Sequence, residues 1–185
     1  MTHGQTLLVV IAGRPGTGKT TLAKRLTTEL EGAYIRLDAI VVPMLLAALT
    51  DDEPRAAQTG YEIAREVARE NLEIGVPVIV DGLHATHVRR QEWLEFAAST
   101  EAQLEFLETF LSDEREHRRR IERRTGTESG YPGPSWDKVQ AMTYEPWDQS
   151  RSGGRLALET SDADSALVVA AVSHLHRRDQ GTSKL

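Results

Sequence analysis

The sequence contains no cysteine, which excludes disulfide bonds and thiolate-ligated metal sites. It has no apolar run of membrane-spanning length, and the segment Met1–Thr6 is too short and too polar for a signal peptide. We therefore expect a cytoplasmic protein without a membrane segment. The only asparagine is Asn71, and Leu72 follows it, so the Asn-Lys-x-Asp motif that reads guanine is excluded.

The overall composition is typical of a soluble globular domain. The chain has 185 residues, of which 27% are charged and 39% are hydrophobic, and this length supports one domain with a sizeable core. The net charge of −6 gives no overall attraction to nucleic acid, which is itself negatively charged. We expect a single domain over residues 1–185, a monomer or homodimer, and no nucleic-acid partner.

The most informative segment is a complete phosphate-binding loop, G-x-x-x-x-G-K-T, at residues 13–20. The unbroken apolar run Leu7–Ala12 precedes it and predicts a buried parallel strand. The residues from Thr20 to Leu30 alternate at helical spacing and predict a helix after it. A loop between a strand and a helix N-terminus presents backbone N–H groups, and the positive end of the helix dipole, to a phosphate chain.

Each residue type in this loop has a chemical role. The glycines allow the backbone to curl with its amides pointing inward. We expect Lys19 to contact the β- and γ-phosphates and Thr20 to ligate Mg²⁺. The residues expected to contact the nucleotide are Gly13, Arg14, Pro15, Gly16, Thr17, Gly18, Lys19, Thr20 and Thr21, together with Arg124 further along the chain.

Apolar runs alternate with helical patterns along the rest of the chain, which is typical of an α/β fold. Strands are predicted at 7–12, 33–37, 77–81, 104–111 and 156–160, and helices at 20–30, 54–75, 88–99, 113–124, 136–147 and 164–178. We expect a five-stranded parallel sheet with helices on both faces. In such sheets, ligands bind at the carboxyl ends of the strands.

Two acidic residues follow predicted strands. Asp38 comes just after the second strand, where it could accept the proton of an acceptor hydroxyl during phosphoryl transfer, or could cap the helix from Ala39 onward. Asp81 ends the third strand, where a carboxylate would hold Mg²⁺, often through water; the alternative is an Asp-Gly turn with Gly82.

A run rich in arginine, from Asp113 to Arg124, precedes a loop at 126–135 that is rich in glycine and proline. Helical spacing places Arg120 and Arg124 on one face. In a phosphoryl-transfer enzyme, such a helix can close over the nucleotide and stabilise charge on the transferring group. The alternative is a solvated helix with i,i+4 pairs such as Glu116–Arg120. We predict a mobile lid over about 113–135.

The segment after Asp81 also contains His84, His87 and Arg89. Two histidines three residues apart invite a metal site, but no third nitrogen or sulfur ligand is nearby. We expect His84 and Arg89 to line the site of the acceptor.

The residues together resemble the small P-loop kinases that include polynucleotide 5′-kinase, chloramphenicol phosphotransferase, gluconate kinase and the zeta-toxin-like kinases. The matching segments are the phosphate loop, "IRLDAI", "YEIAREVARENLEIGVPVIVDGLHATHVRRQEWLEFA", "RRRIERRTG" and "LALETSDADSALVVAAVSHL". The resemblance implies a P-loop kinase fold, ATP as phosphate donor, Asp38 as base and lid arginines at Arg120 and Arg124. It also implies that the last segment holds adenine.

One position departs from the polynucleotide kinases of this group, which carry an arginine three residues after the base. Here that residue is Val41, and the segment 41–46 is apolar, which suits a small organic acceptor. We expect an ATP- and Mg²⁺-dependent kinase acting on a hydroxyl of a small molecule, such as an antibiotic or other natural product. The alternatives are a polynucleotide 5′-hydroxyl kinase and a nucleotide-hydrolysing switch.

Overall fold

The computed structural model describes residues 5–123, 133–161 and 164–182. Strands and helices alternate through these three ranges. The strands are β1 (Leu7–Ala12), β2 (Ala33–Arg36), β3 (Val78–Asp81), β4 (Gln103–Phe110) and β5 (Leu156–Glu159). The helices are α1 (Lys19–Glu29), α2 (Leu37–Leu46), α3 (Glu53–Glu73), α4 (His87–Ser99), α5 (Glu114–Arg123), α6 (Trp136–Ala141), α7 (Gln149–Ser152) and α8 (Asp164–Thr182).

The five strands form one parallel sheet in the order β2-β3-β1-β4-β5. The central strand β1 is apolar throughout because both of its faces are covered. Its Val10 lies opposite Val80 of β3 and Phe106 of β4. The predicted fold class is confirmed, and each predicted strand agrees with the structure to within one residue at either end.

Helices cover both faces of the sheet. On one face, Val10 and Val80 pack in a core that includes Trp93 of α4 and Tyr61 of α3. On the other face, Val9 and Ile11 pack with residues of α1 and α8. Alternate residues of β1 therefore face two separate cores, which fixes the phosphate loop firmly at the end of this strand.

Helix α2 was foreseen from the sequence only in the alternative that Asp38 caps a helix from Ala39 onward, and it begins two residues earlier, at Leu37. Its β-branched residues and Pro43 are poor helix formers, so packing stabilises it instead. Val41 lies against Gly60 of α3, so closely that a Cβ at Gly60 would collide with the Val41 side chain. This contact with α3 is by itself a reason for the apolar character of Val41, and the acceptor wall over 41–46 stays a prediction.

The helix predicted over 136–147 is also wrong in extent, because α6 ends at Ala141. The following residues 142–147, here called the strap, run across the sheet edge as a connection. Glu145 N donates to Ala85 O at 2.9 Å, and His87 N donates to Glu145 Oε2 at 2.6 Å. These tertiary hydrogen bonds replace the helical ones.

Among the described residues, no helix is long and apolar enough to cross a membrane.

Candidate active site

The phosphate loop connects β1 to α1 as predicted, with an unusual backbone. Gly13, Gly16 and Gly18 have φ angles of 145°, 85° and 85°, a region that favours glycine. A Cβ at Gly13 would collide with the carbonyl oxygen of Thr109 on β4. The Thr17 and Thr109 hydroxyls are hydrogen-bonded at 2.8 Å, so contacts with β4 stabilise the loop.

Lys19 is the first residue of α1, and its Nζ donates to the carbonyl oxygen of Arg14 at 2.9 Å. The ammonium group therefore lies across its own loop, close to where the backbone amides converge. Arg14 itself points elsewhere. Its guanidinium donates to Val139 O of α6 at 2.6 Å and lies 5.5 Å from the Tyr144 ring centre. The Arg14 side chain is thus turned toward α6 and Tyr144. Only the backbone of Arg14 remains placed for the predicted nucleotide contact.

Thr20 and Asp81 lie together at the carboxyl ends of the central strands. The Thr20 hydroxyl donates to Asp81 Oδ2 at 2.6 Å, and the Tyr34 hydroxyl donates to the same oxygen at 3.0 Å. Burial and the neighbouring Asp81 raise the pKa of Tyr34, so its hydroxyl stays protonated. Asp81 is 3% exposed. The Asp81 carboxylate thus accepts a hydrogen bond from Thr20 of the phosphate loop. An Asp-Gly turn alone would not explain this contact.

The Thr20–Asp81 pair fits a magnesium site. Hydroxyl and carboxylate oxygens are the ligands that Mg²⁺ prefers, with water and substrate phosphates completing the shell. Within the ranges that the structure describes, no group of three or more His, Cys, Asp or Glu side chains is placed to hold a metal by itself. Thr20 and Asp81 would therefore share the ion with the nucleotide.

Asp38 lies in the first turn of α2, and its side chain is exposed. The helix cap is Arg36, not Asp38, so the capping role considered for Asp38 is wrong. Burial raises the pKa of Tyr61 to about 12. The charges of Arg89 and, more weakly, of Asp38 also influence the pKa of Tyr61. Asp38 is therefore an accessible side chain in the first turn of α2, and the Tyr61 hydroxyl stays protonated.

His84 is fully buried, so it does not line an open acceptor pocket as predicted. Trp93 Nε1 donates to His84 Nδ1 at 3.1 Å, which places the ring proton on Nε2. Burial first, then the positive charges of Lys19, Arg90 and Arg89, lower the pKa of His84 to about 3. The imidazole is therefore neutral, and its role is in packing beneath the site.

Arg89 is partly exposed in the first turn of α4. Its guanidinium lies 4.5 Å from the Tyr61 ring centre and donates to Glu92 Oε2 at 3.0 Å. His87, by contrast, bonds to Ser152 Oγ at 2.8 Å through Nδ1. The structure therefore places Arg89 against Tyr61 and Glu92 and His87 in a hydrogen bond with Ser152.

A cleft of about 620 Å³ lies on the opposite side of the phosphate loop from Asp38. It is bounded by the loop and α1, by α5, and by the β5–α8 connection. Its lining residues are Gly16, Gly18, Thr21, Leu22, Arg25, Glu116, Arg120, Arg123, Thr160, Leu167 and Val168. Because the cleft opens from the phosphate loop and is lined by both apolar and cationic side chains, it suits a nucleoside attached to a phosphate chain.

The arginine-rich helix α5 forms one wall of this cleft. Arg120 donates to Thr160 O at 2.8 Å and to Glu116 Oε1 at 2.9 Å. Arg115, Arg118 and Arg119 are exposed, as expected for a solvated face. Arg120 therefore both forms the i,i+4 pair and lines the cleft beside the phosphate loop. Arg124 and residues 126–132 of the predicted lid lie outside the described residues.

Sequence reasoning missed the contact between α5 and the phosphate loop. His117 Nε2 donates to the carbonyl oxygen of Pro15 at 2.7 Å, and its ring lies edge-on to Trp136 at 5.2 Å. One turn later, Ile121 packs against Gly16, where a Cβ would meet the Ile121 side chain at 2.7 Å. The i,i+4 spacing of these two residues was the available signal for an inner helix face.

Arg90 was also missed as the residue that fastens the strap. Its guanidinium is fully buried and donates to the carbonyl oxygens of His84, Ala85, Glu145 and Pro146. It also lies 4.4 Å from the ring centre of Trp147. Arg90 thus joins the strap to the loop that follows Asp81.

Comparison with known proteins agrees with this geometry. The AAA_33 family, described as an AAA domain, matches residues 8–146, a range that includes the phosphate loop, Asp38 and Asp81. The chain belongs to this family. Among curated protein sequences, none is significantly similar to the chain.

Solved structures of P-loop kinases superimpose on this member of the AAA_33 family over nearly its whole length. The gluconokinase of Sinorhizobium meliloti 1021 does so with a TM-score of 0.66 at 20% identity, over 98% of each chain. The APS kinase CysC of Mycobacterium tuberculosis, in complex with AMPPNP and APS, gives 0.67 at 16% identity over 94% of this chain and 99% of that chain.

A third structure, Kti12 of Chaetomium thermophilum in complex with ADP-AlF3, gives a TM-score of 0.67 at 20% identity, over 90% of this chain and 97% of that chain. At these identities the likeness establishes a shared fold. The AAA_33 member therefore has the P-loop kinase fold.

Proposed function

We propose that the protein is an ATP- and Mg²⁺-dependent phosphotransferase that moves the γ-phosphoryl group of ATP to a hydroxyl of a small molecule. One juxtaposition carries the proposal. The phosphate loop, the Thr20–Asp81 pair and Asp38 follow the carboxyl ends of β1, β3 and β2, which are adjacent in the sheet. A donor site and an exposed carboxylate therefore share one edge.

The proposed reaction assigns the proton to Asp38. The acceptor oxygen attacks the γ-phosphorus as the bond from that phosphorus to the β–γ bridging oxygen breaks. Asp38 takes the hydroxyl proton, and ADP leaves with the electron pair of the broken bond. The carboxylate suits this role because it is exposed and lies apart from the buried Asp81.

The loop and the lid have separate roles in this proposal. Lys19 exchanges the Arg14 carbonyl for phosphate oxygens, and the backbone amides of the loop hold the phosphate chain. Arg120 lies at the cleft wall, where its charge stabilises the nucleotide and the transferring group. When bound at Thr20 and Asp81, Mg²⁺ supplies charge neutralisation of the phosphate oxygens.

Three observations favour a small acceptor over a nucleic acid. The net charge is −6, and a phosphate backbone requires clustered cations for binding. One structural neighbour is a gluconokinase and another is an APS kinase bound to APS. The third observation is the apolar segment 41–46, with Val41 where the polynucleotide kinases of this group carry an arginine, and the narrower assignment to the antibiotic-phosphotransferase branch rests on it.

The first experiment uses γ-labelled ATP with Mg²⁺, incubated separately with 5′-hydroxyl DNA and RNA oligonucleotides and with pools of antibiotics, nucleosides and sugars. We expect label in a small-molecule pool, which is then divided to identify the acceptor. Label on an oligonucleotide would replace this proposal with a polynucleotide kinase. Release of free phosphate that no acceptor changes would favour a nucleotide switch.

The role of Asp38 is tested with the same assay. Asp38→Asn should reduce turnover by about 100-fold to 10,000-fold, the usual contribution of a general base, while the Kd for Mg·ATP stays near that of the parent protein. Asp51→Asn is the matched control, since Asp51 is also an exposed aspartate beyond α2. Full turnover by Asp38→Asn would remove Asp38 from the mechanism.

A further inference from the structure

Arg36 occupies a position that no role described above explains. It is the last residue of β2, lies opposite Asp81 of β3 in the sheet register, and precedes Asp38 by two residues. Its positive charge is close enough to the Tyr34 hydroxyl to influence the pKa of that group. Because Tyr34 donates to Asp81, Arg36 lies beside the predicted magnesium and phosphate site.

The guanidinium of Arg36 has an unsatisfied hydrogen-bond donor. Its Nε is buried, and no acceptor bonds to it within residues 5–123, 133–161 and 164–182. Asp81 is its neighbour across the sheet but accepts from Thr20 and Tyr34 instead. A buried donor without a partner costs free energy, and such groups in native proteins usually have a function.

Local structure also disfavours arginine at this position. Arg36 is the N-cap of α2 and its side chain makes no capping hydrogen bond. Serine, threonine, aspartate and asparagine stabilise an N-cap, and a cation at the positive end of the helix dipole is unfavourable. Local rules are broken most often at functional sites, so the position of Arg36 indicates a ligand.

We propose that Arg36 binds an anionic oxygen at the point of phosphoryl transfer. This inference rests on the phosphotransferase function proposed above. A guanidinium binds phosphate and carboxylate oxygens through several directed N–H groups. The anionic oxygen has two possible sources, which are the γ-phosphoryl group of ATP and a carboxylate or phosphate carried by the acceptor. With either source, the bound oxygen lies next to Arg36, which has Asp81 opposite it in the sheet and Asp38 two residues after it in the chain.

The first arm of the test measures binding without turnover. The Kd values of Mg·AMP-PNP and Mg·ADP are determined for the parent protein, Arg36→Gln, Arg36→Lys and the control Arg69→Gln. Arg69 is a partly buried arginine of α3 that pairs with Glu66 away from the site. If the γ-phosphoryl group is the ligand, Arg36→Gln weakens AMP-PNP by about tenfold and leaves ADP unchanged.

The second arm fills the nucleotide site with saturating Mg·AMP-PNP and adds inorganic phosphate as the probe. If the acceptor supplies the anion, phosphate raises the Tm of the parent protein, and Arg36→Gln loses this rise. Arg36→Lys should keep part of the effect in either arm, since it keeps the charge but not the fork of donors. Arg69→Gln should behave as the parent protein does.

The inference is overturned if Arg36→Gln matches the parent protein in both arms. Unfolding in urea shows whether each variant is folded, and we expect no loss of stability in Arg36→Gln, because Arg36 makes no capping hydrogen bond. These binding measurements do not depend on phosphoryl transfer. If no acceptor in the labelling panel is phosphorylated but Arg36→Gln still weakens AMP-PNP, the phosphotransferase proposal fails and the anion contact stands.

Discussion

His117 Nε2 lies 2.7 Å from the carbonyl oxygen of Pro15, so helix α5 is hydrogen-bonded directly to the phosphate loop. The same helix contributes Ile121 to the packing around Gly16. The position of α5 and the shape of the loop are therefore linked by contacts one helical turn apart. A change at His117 should affect nucleotide binding even though the histidine lies outside the phosphate-loop motif.

His117→Ala should raise the KM for ATP by about threefold to tenfold, the range given by the loss of one hydrogen bond and its packing. The measurement is steady-state turnover at varied ATP concentration. The control is Arg118→Ala, since the neighbouring Arg118 side chain is 60% exposed and pairs with Glu122, so this variant should leave KM unchanged. Equal KM values for the two variants would mean that the loop keeps its shape without α5.

Asp81→Asn should shift the magnesium requirement. The substitution removes the charge that Thr20 and Tyr34 share, so the Mg²⁺ concentration for half-maximal turnover should rise by about tenfold or more. Tyr34→Phe removes one donor and keeps the carboxylate. Its magnesium curve should therefore overlap that of the parent protein, and a shift as large as that of Asp81→Asn would contradict the prediction that Asp81 is the metal ligand.

Arg120→Ala should lower kcat/KM for ATP by about tenfold or more, because the variant loses a cation that lines the nucleotide cleft and its hydrogen bonds to Thr160. Arg115 lies on the same helix and is exposed, so Arg115→Ala should change kcat/KM by less than about twofold. Turnover at subsaturating ATP measures both. The prediction fails if the two variants lose activity equally.

The buried His84 should make stability depend on pH. Its pKa is about 3 in the folded protein, mainly because of burial, and about 6.5 when unfolded. The unfolded chain therefore binds a proton below pH 6.5 that the folded protein does not, and the free energy of unfolding falls as the pH falls toward 3. From pH 7 to pH 4.5, this difference in proton binding should lower the free energy of unfolding by about 2 kcal/mol.

Urea unfolding of the parent protein and of His84→Gln at several pH values checks this effect. The variant should be less stable at pH 7, because it loses the contact with Trp93. The difference in free energy between the two proteins should narrow toward pH 4.5, since glutamine does not titrate. A difference that stays constant over this range would show that His84 takes up its proton in the folded state.

The phosphate loop and the strands were readable because their signals are local. Glycines, Lys19 and Thr20 stand at fixed spacing in the loop, and the run Leu7–Ala12 is apolar because both faces of β1 are covered. The end of β3 could likewise be predicted, and with it the position of Asp81. Each of these features follows from the chemistry of neighbouring residues in the chain.

Helix α2 was foreseen only as an alternative, and the strap was predicted as helix, because distant contacts stabilise both segments. Val41 and Pro43 disfavour a helix, yet α2 forms because Val41 fits the space left by Gly60. The strap after Ala141 abandons helical hydrogen bonds because Arg90, far earlier in the chain, binds its carbonyl oxygens. Propensity gives no information about such partners.

The sequence by itself determined the phosphate loop, the parallel α/β fold and the acidic residues at the strand ends, because periodicity and motif spacing encode them within short segments. Only the tertiary structure decided that His84 is buried, that His117 bonds to the loop and that Arg36 has a donor without a partner. Burial and hydrogen-bond partners depend on residues brought together across the sheet, and the linear order of residues does not specify those distances.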